Sequence, residues 1–193
     1  MRTFLTLVLA IWLVPAAAVE LLAARGELAF VGADRGVPQI FVIGADGTGR
    51  RRLTGVPGSS TTPVWSPDGR KIAFVRQSGD GSQVAVINAD GGSPRALTAG
   101  PGRVASLAWS PDGRQIAFAA TRDGISRIAI MASDGSGRRD LAPSPRDQVA
   151  PAWSPDGRLI AFLSKGSGGY FELYVIGADG RNRRQVPTPV PSL

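Results

Sequence analysis

The chain has 193 residues and a net charge of +7 carried by 20 Arg and only 2 Lys, and its 25 Gly and 15 Pro recur at regular intervals. It contains neither Cys nor His, which excludes disulfides, thiol nucleophiles, Cys/His metal centres and a Ser-His-Asp triad formed within the chain. Ordinary apolar content argues for a folded domain rather than a disordered chain.

The first predicted element is a targeting segment. "MRTFLTLVLAIWLVPAAAVE" places Arg2 before an apolar run from Phe4 to Val14, followed by Pro15 and the small residues Ala16, Ala17 and Ala18. Basic start, short apolar run and A-x-A site make a secretory signal peptide over residues 1–18, with Val19 as the first mature residue. The run is short for a span of about 20 apolar residues, and no other segment is long and apolar enough to cross a membrane. The expected location is therefore periplasmic or extracellular, without a stable membrane span after cleavage.

From residue 19 onward the chain repeats. "WSPDGRKIAF", "WSPDGRQIAF" and "WSPDGRLIAF" begin at Trp65, Trp109 and Trp153, 44 residues apart. Leu28, Ile72, Ile116 and Ile160 keep that step, as do Phe30, Phe74, Phe118 and Phe162. Leu53, Leu97, Leu141 and Val186 close the units. Four units result, with blades at about 19–60, 61–104, 105–148 and 149–193. A period of about 40–45 residues with turn signals roughly every ten is the mark of a β-propeller. The predicted fold is all-β, with four four-stranded antiparallel blades.

The third unit reads as strands over 104–110, 114–120, 127–133 and 138–144, with "TRDGIS" as a loop. Its middle strands are nearly continuous in apolar residues, as in a sheet buried on both faces. Ser-Pro-Asp-Gly suits a type I turn closed by a left-handed Gly. Trp65, Trp109 and Trp153 then face neighbouring blades. Asp68, Asp112 and Asp156, with Gly69, Gly113 and Gly157, are read as turn residues rather than catalytic carboxylates or calcium ligands. The "ADG" and "SDG" turns around Asp46, Asp90, Asp134 and Asp179 are read the same way.

"PVWSPDGRKIAFVRQSGDGSQVAVINADGGSPRALT", residues 63–98, resembles the TolB-type, WD40-like propeller repeat along a whole unit, and the resemblance extends over nearly all of 26–190. That family includes a periplasmic protein of the Tol–Pal envelope system and propeller domains attached to peptidases and sensors. The resemblance implies a TolB-like repeat protein without the α/β domain that precedes the TolB propeller. Such propellers usually have six or more blades. With four, the chain forms a closed small disc, a homodimer completing a larger ring, or a truncated fragment. "VELL", residues 19–22, stands where the first blade's Trp strand belongs.

Antiparallel connectivity places the uniform SPDG and ADG turns on one face. The other face carries the second-to-third-strand loops, "ADRGVP", "QSGDGS", "TRDGIS" and "KGSGGYF", and the blade-to-blade connections. Divergent loops on a rigid scaffold suit recognition, so Arg35, Arg103, Arg122, Arg146, Lys165 and Tyr170 are the candidate partner-binding residues. Arg51 and Arg139 are placed on outer strands, where their charge discourages edge pairing. The expected function is a non-catalytic binding scaffold of the cell envelope that recognises a protein or an anionic surface polymer. No cofactor, metal or nucleic-acid partner is expected. The alternatives are a polysaccharide-processing propeller enzyme such as a lyase, or a truncated sensor- or peptidase-associated propeller.

Overall fold

The computed structural model describes residues 19–22, 26–55, 57–141 and 143–187. The signal segment 1–18 lies outside these residues. Every regular element described is a strand. Blade 1 holds β1 (Val19–Leu22), β2 (Glu27–Asp34), β3 (Val37–Gly44) and β4 (Arg51–Arg52). Blade 2 holds β5 (Ser60–Trp65), β6 (Lys71–Ser78), β7 (Gly81–Asn88) and β8 (Arg95–Ala96). Blade 3 holds β9 (Arg103–Trp109), β10 (Gln115–Arg122), β11 (Ile125–Ala132) and β12 (Arg139–Asp140). Blade 4 holds β13 (Gln148–Trp153), β14 (Leu159–Lys165), β15 (Phe171–Gly177) and β16 (Arg184–Gln185). Each is a four-stranded antiparallel sheet in sequence order. "VELL" pairs with β2, Leu21 opposite Leu28, and completes blade 1.

Alternation along the middle strands gives each blade two apolar faces. In blade 2, Ile72, Phe74, Ala85 and Ile87 point towards blade 1 and pack on Ala29, Ile40 and Val42. The opposite face, Ala73, Val75, Val84 and Val86, packs on Trp109, Ile116, Phe118, Ala129 and Met131 of blade 3. Blade 3 in turn sets Ala117, Ala119, Ile128 and Ile130 against Ile160, Phe162 and Ile176 of blade 4. A leading face rich in Ile and Phe thus meets a trailing face of Ala, Val and Ile at every seam. Among the described residues, no strand of β13–β16 packs in this way against β1–β4. The blades form an open arc with one unpaired face at each end, so the closed four-bladed disc is not the form described.

The predicted strand boundaries move in two ways. The loop expected at "TRDGIS" shrinks to Asp123-Gly124, with φ of 53° and 76°, because the flanking strands extend to Arg122 and Ile125. Positive φ at both central residues is the type I′ hairpin, whose twist matches that of the strands. Arg35-Gly36 repeats it, with φ of 51° and 81°. The fourth strand expected over 138–144 contracts to Arg139–Asp140. The chain leaves the sheet there to bury Leu141 between blades 3 and 4.

Candidate functional site

The SPDG face is built from one hydrogen-bonded unit used three times. In blade 3, Gly113 N–H donates to the Ser110 carbonyl at 2.9 Å, closing the turn. The Ser110 hydroxyl donates to Asp112 Oδ1 at 2.6 Å, and the same oxygen accepts from Arg114 N–H at 3.0 Å. Ser66–Asp68–Arg70 and Ser154–Asp156–Arg158 repeat these contacts. The hydroxyl bond first, with the backbone N–H behind it, holds Asp112 below the ordinary carboxylate range. Asp68 and Asp156 are lowered by the corresponding Ser hydroxyls. These carboxylates are occupied within their own turns. No group of three or more acidic side chains that could hold a metal ion occurs among the described residues.

The opposite face is more constrained than divergent loops suggest. Three of its four second-to-third-strand loops are two-residue turns, and only Gly166–Tyr170 is longer. The connections are tied to the preceding blade. Val104 N–H donates to Ser82 Oγ at 2.8 Å, and Ser126 N–H to Asp147 Oδ1 at 2.9 Å.

Arg103 and Arg122 come together on this face. Arg103 opens β9, opposite Thr121 of β10, with Arg122 the next residue. Both are exposed. They line a cleft with Arg138, between the 98–102 connection and blade 3. The Arg138 guanidinium lies over the Phe118 ring at 5.3 Å. Partial burial first, then the Arg122 charge, pulls the Arg138 pKa down, and Asp140 opposes this only as the smaller influence. Three Arg residues therefore line one cleft, and Arg138 feels the Arg122 charge more than the Asp140 carboxylate. Arg138 escaped the sequence reading because an Arg that follows an SDG turn and precedes another Arg carries no signal of its own. Its recurrence as Arg50, Arg138 and Arg183, just before the fourth strand, was the pattern available.

The other candidates stand apart. Arg35 occupies the blade 1 turn, and Arg146 lies in the connection into blade 4 with its N–H on Ser144 Oγ at 3.1 Å. Lys165 ends β14 opposite Phe171, and Tyr170 in the adjacent loop is 82% exposed.

Arg51 and Arg139 have a different role from rim charges. Arg51 donates to the Ala89 carbonyl of blade 2 at 2.9 Å, and Arg139 to the Ala178 carbonyl of blade 4 at 2.7 Å. Arg95 makes the matching contact with the Asp134 carbonyl. In each of the first three blades one fourth-strand Arg thus clamps the ADG or SDG turn of the next blade.

The architecture is that of a β-propeller, built from stacked four-stranded blades. The model of the TolB beta propeller domain matches residues 24–191, and the chain belongs to that family. A protein of Agrobacterium tumefaciens assigned as TolB superposes with a TM-score of 0.72 at 25% identity, over 83% of this chain and 60% of its own. An oligogalacturonate lyase in complex with manganese gives 0.72 at 15% identity, over 86% of this chain and 50% of its own. A puromycin-hydrolyzing peptidase of Mycobacterium tuberculosis gives 0.72 at 16%, over 92% and 30%. The last two likenesses show the fold alone. The chain spans three fifths or less of the length of these structures. No curated protein matches it. No helix of the described residues is long and apolar enough to cross a membrane.

Proposed function

We propose that the chain is an exported, non-catalytic binding scaffold of the cell envelope whose variable-loop face takes an anionic partner, a protein or a surface polymer. The cluster of Arg103, Arg122 and Arg138 carries this reading. Like charges held together cost free energy until an anion neutralises them, and Arg forks suit carboxylate, phosphate and sulfate groups. The signal-like segment 1–18 and the membership of the TolB propeller family support an envelope location. A catalytic role lacks a nameable base, since the sequence holds no His and its repeated carboxylates are engaged in turns.

The test is a binding titration with a carboxylated polysaccharide and a polyglutamate peptide. Arg103→Glu with Arg122→Glu should abolish binding while leaving the melt unchanged. Arg114→Glu with Arg158→Glu, on the SPDG face, is the control, because Arg51 and Arg139 serve the seams. The attraction should weaken as salt rises, since exposed charges are screened over about 8 Å at physiological ionic strength. Equal losses for both pairs would reduce the site to diffuse basic attraction.

A further inference from the structure

The trailing face of blade 4 comprises Leu159, Ala161, Leu163, Leu173, Val175 and Phe171, with Lys165 at its edge opposite Phe171 and Gly177 opposite Leu159, by the register of β14 on β15. Nothing among the described residues covers it: Leu159 is 40% and Phe171 50% exposed. The end of a repeat stack normally turns polar, because an apolar end face is insoluble. Here the trend is reversed. Leu159 stands where blades 2 and 3 have Lys71 and Gln115, Phe171 where they have Ser82 and Ser126, and Leu163 where blade 3 has Ala119. Apart from Lys165, which stands where they have Gln77 and Thr121, the last face is more apolar than the buried faces it repeats.

The other end of the arc carries the complementary half. Blade 1 carries Leu28, Phe30, Phe41 and Ile43 at the positions of Ile72, Phe74, Ala85 and Ile87, which are buried in the first seam; Phe41 is itself only 8% exposed. Arg50 lies over Phe41 at 4.7 Å, as Arg183 lies over Tyr174 at 4.6 Å on the leading face buried in the third seam. The polar clamp is also divided between the ends. Arg184 occupies the position of Arg51, Arg95 and Arg139, and the blade 1 turn at Ala45-Asp46 offers the carbonyls that the later blades use as acceptors.

We propose that a second copy of this chain docks head-to-tail, its blade 1 leading face on the blade 4 trailing face of the first, with Arg184 donating to the Ala45-Asp46 turn across the junction. Two such junctions close a ring of eight blades, within the usual range of about four to eight. The occupant is a second copy because the two open faces are the two halves of the seam used three times inside the chain. Besides these substitutions, the junction differs from the internal seams on the inner strand of blade 1, where Leu21 stands in register with the Trp of the later blades. The inference is independent of the anion site.

The test is the mass of the purified chain by sedimentation across a concentration series. Twice the chain mass is expected. Leu173→Arg on the trailing face and Ile43→Arg on the leading face should each weaken association by at least about tenfold. Both positions are already partly open to solvent, and an unchanged circular dichroism spectrum checks the fold. Mixing the two variants restores one intact junction, so the mixture should associate where neither does alone. Arg184→Ala should weaken association several-fold and leave the monomer's melt unmoved. A monomer at about 100 µM, where a micromolar contact is saturated, overturns the proposal. So does sensitivity to only one of the two faces, which would mean an isologous contact. Open chains that lengthen with concentration support the head-to-tail contact and overturn ring closure.

Discussion

The Trp109 indole N–H donates to the Val64 carbonyl at 3.1 Å, so a side chain of blade 3 is bonded to the inner strand of blade 2. Trp153 does the same to Ala108 at 3.2 Å, one seam later. The repeated Trp therefore supplies buried area and also a directional polar contact that fixes how far one blade is turned against the next.

Trp109→Ala should destabilise by about 3–5 kcal/mol, the usual cost of removing a large aromatic side chain from a core. Trp153→Ala should cost less, because Trp153 is only half-buried where Trp109 is 8% exposed. Denaturant melts of the two variants check both. A neutral Trp109→Ala would sink the seam assignment.

Gly113→Ala should cost about 1–2 kcal/mol through backbone conformation alone. Its φ is 69°, and an added Cβ would meet only Pro67 at an ordinary 3.7 Å. Gly135→Ala should cost more. At φ of 87° the new Cβ would lie 2.9 Å from the Leu97 carbonyl oxygen, which is backbone of the preceding blade. Equal melting temperatures for the two variants would contradict this ranking.

Arg139→Ala should lower stability by about 1 kcal/mol, the scale of one charge-assisted contact in a solvent-accessible place. Arg114→Ala, on the SPDG face, should fall within about 0.5 kcal/mol of the parent. Similar melts for the two would return Arg139 to a simple rim charge.

Acid should unfold the chain partly through its turns. Asp68, Asp112 and Asp156 are held below the ordinary value of 3.8. A depressed folded pKa contributes stability above the unfolded value and loses it as pH falls through the folded one. Thermal stability should be level above about pH 5 and fall below about pH 4. Replacing all three residues by Asn should flatten that fall. An unchanged acid limb would show that the turns are not its source.

The repeat, the strand order and the turn chemistry were legible because each depends on residues close in sequence. Trp65, Pro67, Gly69 and Ile72 announce a turn between two strands without help from elsewhere. The strand ends were less legible. Asp123-Gly124 reads as loop by composition, and only the pairing of Arg122 with Ile125 shows it to be a two-residue hairpin. The Arg side chains were least legible. Arg51, Arg122 and Arg138 look alike in sequence, yet one clamps the next blade and two share a cleft. Nothing local decides where a long charged side chain finds its partner.

Each seam has the same two halves, so the chemistry that joins blades does not depend on how many there are. A 44-residue unit copied in tandem brings its own leading face for the unit before it and its own trailing face for the unit after. Such an insertion introduces no new kind of contact and leaves the existing ones matched. Blade number can therefore change by whole units through duplication or loss, while core composition stays fixed. What changes is the curvature that any ring built from such units has to accommodate, a demand shared by every seam.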